Sequence, residues 1–229
     1  MNRDIIVCHI TYLSMRSNCN EAMAIPSECK MPDLSGIDSP LLGPLIVQLL
    51  VGERGLSPKA RLYRRNFIRL SDKAVREYDE ARGAILAQVT EAKRSAEEMI
   101  KYGRQLHIIA FTDHIETCIN AVSRLFKLLE RIKSERESPS FPRELRKLVE
   151  TCSESVKTIR NTVEHMDELI RKDEIAPGKP IMLAVCQEGD GLLVSDCEMK
   201  FNDLAMVLEK MHEIALYILT IKKWEPHKI

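Results

Sequence analysis

Between residues 145 and 170 an apolar side chain falls every three or four positions. Leu145, Leu148, Cys152, Val156, Ile159, Val163, Met166 and Ile170 are spaced 3, 4, 4, 3, 4, 3 and 4. A strand cannot use this pattern, because its side chains change face at every residue. A helix of 3.6 residues per turn gathers all eight into one stripe, and that stripe is stable only against other apolar helix faces. Pro142 sits where a first helical turn tolerates a missing N–H. "APGKP" at 176–180 ends the run.

Two stretches upstream offer the faces it needs. "SDKAVREYDEARGAILAQVTEAKRSAEEMIKYG" opens at Ser71, a cap residue with an acidic neighbour. Val75, Tyr78, Ala81, Ile85, Val89 and Ala92 then recur at helical spacing up to Gly103. A second helix is expected from about Ile108 to Ser134, with Ile115, Cys118, Ile119, Val122, Leu125, Phe126, Leu129 and Ile132 on one face. After the third helix, "IMLAVC" and "LLVSDC" read as short strands joined by "QEGDG". "FNDLAMVLEKMHEIALYILTI" is a last helix. The expected fold is mainly α: an antiparallel helical bundle with a small β-hairpin, residues 180–197, before the final helix. Aromatic residues make up only 5% of the 229, so Leu, Ile, Val, Met and Ala must fill the core, which suits helices better than a barrel.

Residues 1–57 are expected to be a poorly ordered or variable leader, and 58–229 the bundle. The first 45 hold three cysteines, four prolines and no sustained period. Within the leader, "PLIVQLLVG" could form a short docking helix or strand. "KARLYRRNFIRL" reads as a basic helix with Lys59, Arg61, Arg64, Arg65 and Arg69 close together. "DIIVCHITYL" lacks the basic leader and cleavage site of a secretion signal. No apolar run reaches membrane-spanning length, so no membrane partner is expected. Seven cysteines at irregular spacing read as reduced thiols of a cytoplasmic protein. No C-x-x-C or H-x-x-x-H pair proposes a metal, and no cofactor motif is visible. Basic and acidic residues balance at 34 each, so any nucleic-acid contact needs a local patch.

One such patch lies on the third helix. With Ile159 at zero on a helical wheel, Arg160 lies at about 100°, Glu164 at about 140°, Asn161 at about 200° and His165 at about 240°. The four occupy an arc opposite the apolar stripe. Imidazole transfers protons near neutral pH. A guanidinium grips a phosphate and offsets the charge that builds on it. An amide beside them can orient either group. This set is sufficient for RNA, which carries its own nucleophile in the 2′-hydroxyl.

"RNTVEH" at 160–165 resembles the R-x(4–6)-H motif of the HEPN superfamily, in which a polar residue follows the Arg. The resemblance covers roughly residues 60–222 and implies a helical bundle with the motif late in the chain. It further implies a metal-independent endoribonuclease acting as a homodimer, often a toxin with an antitoxin protein partner, or a phage-defence component. The catalytic residues would be Arg160, Asn161, Glu164 and His165. Some members of that superfamily only bind RNA or a partner, which is the alternative reading. "RDIIVCH" from Arg3 to His9 has the same spacing without helical context and is taken as chance. Arg124, Lys127 and Arg131 form one basic face and, with Lys157, Arg143 and Arg146, a candidate phosphate track for RNA. His107 and His114 are expected as loop or capping histidines, Glu116 without a recognisable pair, and His212 at the surface.

Overall fold

The structure is a computed structural model. It describes residues 28–37, 40–51, 55–135, 137–139, 143–221 and 225–226. Arg3, Cys8, His9 and Cys19 lie outside the described residues, as do the side chains of Arg143, Leu145, Arg146 and Leu148.

The chain is mainly α. The helices are α1 (Leu42–Val51), α2 (Pro58–Ala92), α3 (Ala96–Tyr102), α4 (Ile108–Ser134), α5 (Arg143–Glu164), α6 (Met166–Arg171) and α7 (Phe201–Thr220). Strands β1 (Glu137–Ser138) and β5 (Glu225–Pro226) pair with each other. Strands β2 (Ala184–Val185), β3 (Gly191–Val194) and β4 (Cys197–Lys200) form an antiparallel sheet just before α7. Helices α2, α4, α5 and α7 make the bundle, with α2 and α5 each packed against both α4 and α7. Their directions alternate. The end of α2 meets the start of α4 through Gln88, and the start of α2 meets the end of α7 through Arg64. Thr162, near the end of α5, reaches Cys197 beside the start of α7.

The longest helix shows how the sequence specifies this arrangement. Residues 60, 64, 67, 71, 74, 78, 81 and 85 of α2 are all buried, at alternating spacings of four and three. Ser57 caps it, its hydroxyl accepting from Ala60 N at 3.3 Å, with Pro58 in the first turn. Ser71, expected as the cap, is instead a small buried residue fourteen positions further on. The helix also stops sooner than expected, at Ala92. Ser95 and Glu98 form a reciprocal capping box that starts α3 as a separate helix. Gly103, at φ 77°, ends α3 rather than α2.

Two polar side chains on α2 are buried because they serve the ends of other helices. Gln88 Oε1 accepts from His107 N at 2.7 Å and Ile108 N at 3.0 Å, the orphan donors at the start of α4, where His107 makes no side-chain cap. Arg64 Nη2 donates to Leu219 O at 2.5 Å and to Gln48 Oε1 at 2.5 Å, and Nη1 reaches Ile221 O at 3.4 Å. A cation at the last carbonyls of α7 also has the favourable sign for the helix dipole.

The segment expected as a loose leader is built into the core from residue 28 onward. Met31, Leu34, Leu41 and Leu45 are buried with the bundle residues. Tyr78 OH donates to Pro32 O and Arg82 Nε to Met31 O, both at 3.1 Å. Lys30 N donates to Gly189 O at 2.7 Å, which ties this strap to the tip of the β2–β3 hairpin. Gly189 has φ 72°, and a Cβ there would stand 2.2 Å from Glu28 O, so only glycine permits the approach. The sheet gains a third strand. The expected strand "LLVSDC" turns at Ser195, φ 51°, and returns as β4. Among the described residues no helix is long and apolar enough to cross a membrane.

The strap and the glutamine cap each give an expected outcome. Leu34→Ala should cost about 2–5 kcal/mol of unfolding free energy, the range for a truncated buried leucine. Gln88→Leu should cost about 1–3 kcal/mol, because two part-buried N–H groups at the start of α4 lose their acceptor. Urea unfolding followed by circular dichroism measures both; unchanged midpoints would show that neither contact holds the fold.

Candidate functional site

The third long helix does not run straight through the motif. It breaks at His165, which has φ −104° and ψ 14° and separates α5 from α6. His165 N still bonds Asn161 O at 2.9 Å, while His165 O accepts from both Glu168 N and Leu169 N at 3.0 Å, restarting the helix as α6. The break shifts the apolar stripe. Val156 and Ile159 are fully buried and Met166 is buried, but Ile170, expected on the core seam, is 51% exposed.

The four motif residues share this end of α5. Cys152, Val156 and Ile159 hold the helix against the core, which turns Asn161, Glu164 and His165 outward, all exposed. Arg160 is half-buried, and its Nη2 donates to Glu164 Oε1. The His165 side chain is 64% exposed; its Nδ1 stands 3.8 Å from Glu168 Oε2. Glu168 is shared with Lys172 at 3.0 Å and Arg171 at 3.9 Å. Thr162, between them in sequence, faces inward and touches Cys197 Sγ at 3.3 Å. Among the described side chains of α5 the outward face is otherwise polar: Thr151, Glu154, Ser155 and Thr158 are exposed.

The basic stripe is not part of this cluster. Arg124, Lys127 and Arg131 are exposed on α4. They descend toward the end of α4, whose last residues meet the start of α2 through Tyr63 OH and Glu135 at 3.0 Å. His165 lies at the other end of the bundle. Lys157, half-buried on α5, is on the motif's own helix.

Three groupings escaped the sequence reading. His114, expected as a loop or capping residue, stands within α4, and its Nδ1 meets Glu77 Oε2 of α2 at 2.9 Å. A partner 37 residues away leaves no mark in local spacing. His212, expected at the surface, is buried. It lines an open pocket of about 390 Å³ with Asp33, Leu34, Ile37, Glu209, Glu213 and Leu216, because the strap covers that side of α7. The Ser35 backbone N–H and hydroxyl hold the Asp33 carboxyl below its usual range.

Cys186, Glu188 and Asp190, around the β2–β3 turn, place ligand-type atoms within 4.8 Å of one another. The arrangement is already satisfied internally. Cys186 Sγ donates to Asp190 Oδ1 at 3.1 Å, and Lys200 Nζ occupies the same oxygen at 3.1 Å. Burial, then the Asp190 bond, pushes the thiol up.

An exposed histidine without a structural bond can be removed at little cost to the fold. His165→Ala should change the unfolding free energy by less than about 0.5 kcal/mol. A loss several times larger, measured by thermal or urea unfolding, would assign His165 to holding the α5–α6 junction rather than to chemistry. Comparisons with known proteins give no matching family model, no matching curated protein and no matching solved structure.

Proposed function

We propose that this chain is a metal-independent endoribonuclease of the HEPN type, with its site at the α5–α6 junction. The observation that carries the reading is the exposed His165 at a helix break, one turn beyond Arg160 and Asn161 on the same polar face. Arg160 binds the scissile phosphate and offsets the negative charge of the transition state. His165 moves a proton to or from the reacting oxygens. Asn161 orients the phosphate or the imidazole. Glu164 holds Arg160 in place until RNA competes for the guanidinium. The reaction is attack by the 2′-hydroxyl, which breaks the bond to the 5′-oxygen and leaves a 2′,3′-cyclic phosphate. One chain offers one histidine for two proton transfers, so a second copy supplies the other when both bind one RNA through the polar face of α5. A toxin or phage-defence role, with an antitoxin partner, belongs to the same reading.

A second reading has its own observation. Arg160 is engaged by Glu164, and the surface around His165 also carries Asp167 and Glu168. With Lys172 and Arg171 beside Glu168 the charges here are mutually paired, and such a mixed surface suits a protein-interaction module without turnover.

The experiment is cleavage of a labelled RNA by purified protein in excess EDTA. The expected result is cleavage with cyclic-phosphate ends, reduced about 10²–10⁴-fold in His165→Ala. Products with 5′-phosphate ends, or equal rates for both proteins, would overturn the enzymatic reading and favour the interaction module.

A further inference from the structure

Helix α1 is apolar on two sides and uses only one of them inside the chain. Leu41, Leu45 and Gln48 follow i, i+4, i+7 spacing and face inward. The two leucines are buried, and Gln48 Nε2 donates to Leu219 O at 3.1 Å while its Oε1 accepts from Arg64 at 2.5 Å. The helix is therefore fixed to α2 and α7. Its other side presents Ile46, Val47, Leu49, Leu50 and Val51, exposed between 42 and 83%. None of the residues Leu42–Val51 carries a charge.

These five residues expose on the order of 600 Å², the top of the range for the largest patch on a soluble monomer and the low end of what each partner buries in a standard interface. We propose that this face is the seam of a homodimer, in which α1 of one chain packs against α1 of a second copy about a two-fold axis. Ile46 with Leu50, and Val47 with Val51, are i, i+4 pairs that form the ridges for such packing. A two-fold seam brings each patch against itself, and a charge-free helix has nothing to repel its own copy. An anionic membrane is not what α1 itself favours, because the helix carries no charge and three described cations that follow it on α2 have partners within the chain. Lys59 pairs with Glu135 at 2.7 Å, Arg61 Nε donates to Leu56 O at 3.1 Å, and Arg64 is buried.

The seam lies at the end of the bundle where α2 begins and α7 ends, opposite His165. It needs no RNA and does not rest on the ribonuclease reading. It leaves both α5–α6 faces open and keeps the two His165 side chains apart, so an RNA-lined contact between α5 helices would be a separate interface.

Light scattering of the full-length protein at micromolar concentration, without RNA, tests the seam. The expected mass is that of two chains, falling to one in the Val47→Asp/Leu50→Asp variant with an unchanged circular dichroism spectrum. Should that variant unfold, the milder Val47→Ser/Leu50→Ser pair should raise the dimer dissociation constant at least tenfold. A monomeric wild type overturns the proposal. So does a dimer that survives the α1 changes but is lost in Asn161→Lys. So does a monomer that binds phosphatidylserine vesicles through α1. RNA cleavage is scored separately, so loss of activity with an intact dimer strikes the enzymatic reading alone.

Discussion

A helix end leaves four N–H or four C=O groups without partners in its own ladder, and burying them unsatisfied is costly. In this bundle α2 supplies what two neighbouring helices lack. Gln88 offers one carbonyl oxygen to two donors at the start of α4, and Arg64 offers its guanidinium to the last carbonyls of α7. The two sit 24 residues apart on one rigid helix. They therefore fix the axial position of α4 and α7 along α2, a role that apolar packing alone fills poorly. Leucine stripes tolerate a shift of one turn, whereas a glutamine that must meet two specific N–H groups does not. Gln48 joins the same knot, so α1 is placed by the Arg64 contact too.

The position of α5 follows from what it packs against. Its stripe of Cys152, Val156 and Ile159 lies against α4 and α7, and the sheet covers its final turns. The break at His165 comes where that cover ends. Thr162, three residues before the break, packs on Cys197 of β4, and Ile170, five residues beyond it, is exposed. Beyond the break, α6 has two acidic residues in its first turn and exposes most of its surface. The histidine thus gains exposure from the same event that ends the core.

The fold class was legible because the α2, α4 and α5 stripes each extend over five or more turns, long enough for the 3.6 period to outweigh local noise. What was misread involves contacts distant in sequence. Met31 and Leu34 have no helical or strand period, so nothing local marks them as core; the groove beside Tyr78 and α7 does. The α2–α3 break was present as Ser95 and Glu98, a capping box hidden inside an otherwise helical pattern. The β3–β4 turn was missed because Ser195 takes φ 51° without glycine. For the candidate site, the wheel placed Asn161, Glu164 and His165 correctly on the outward face. It could not show that Glu164 engages Arg160, nor that the basic stripe on α4 runs away from the motif.

Two surfaces at opposite ends of the bundle expose different kinds of side chain. At one end, exposed side chains of α1 are aliphatic, and Lys59, Arg61 and Arg64 at the start of α2 engage Glu135, Leu56 O and the end of α7. At the other, α5 and α6 expose amide, hydroxyl, carboxylate and imidazole groups. The hydrophobic effect acts on the first end and cannot act on the second, where a dry seam would strand Asn161, Glu164 and His165 without water. Any partner at the α5–α6 end must therefore bring polar groups of its own. A partner at α1 needs only shape and apolar area. The two ends therefore differ in the class of surface they can accept, whichever chemistry His165 performs.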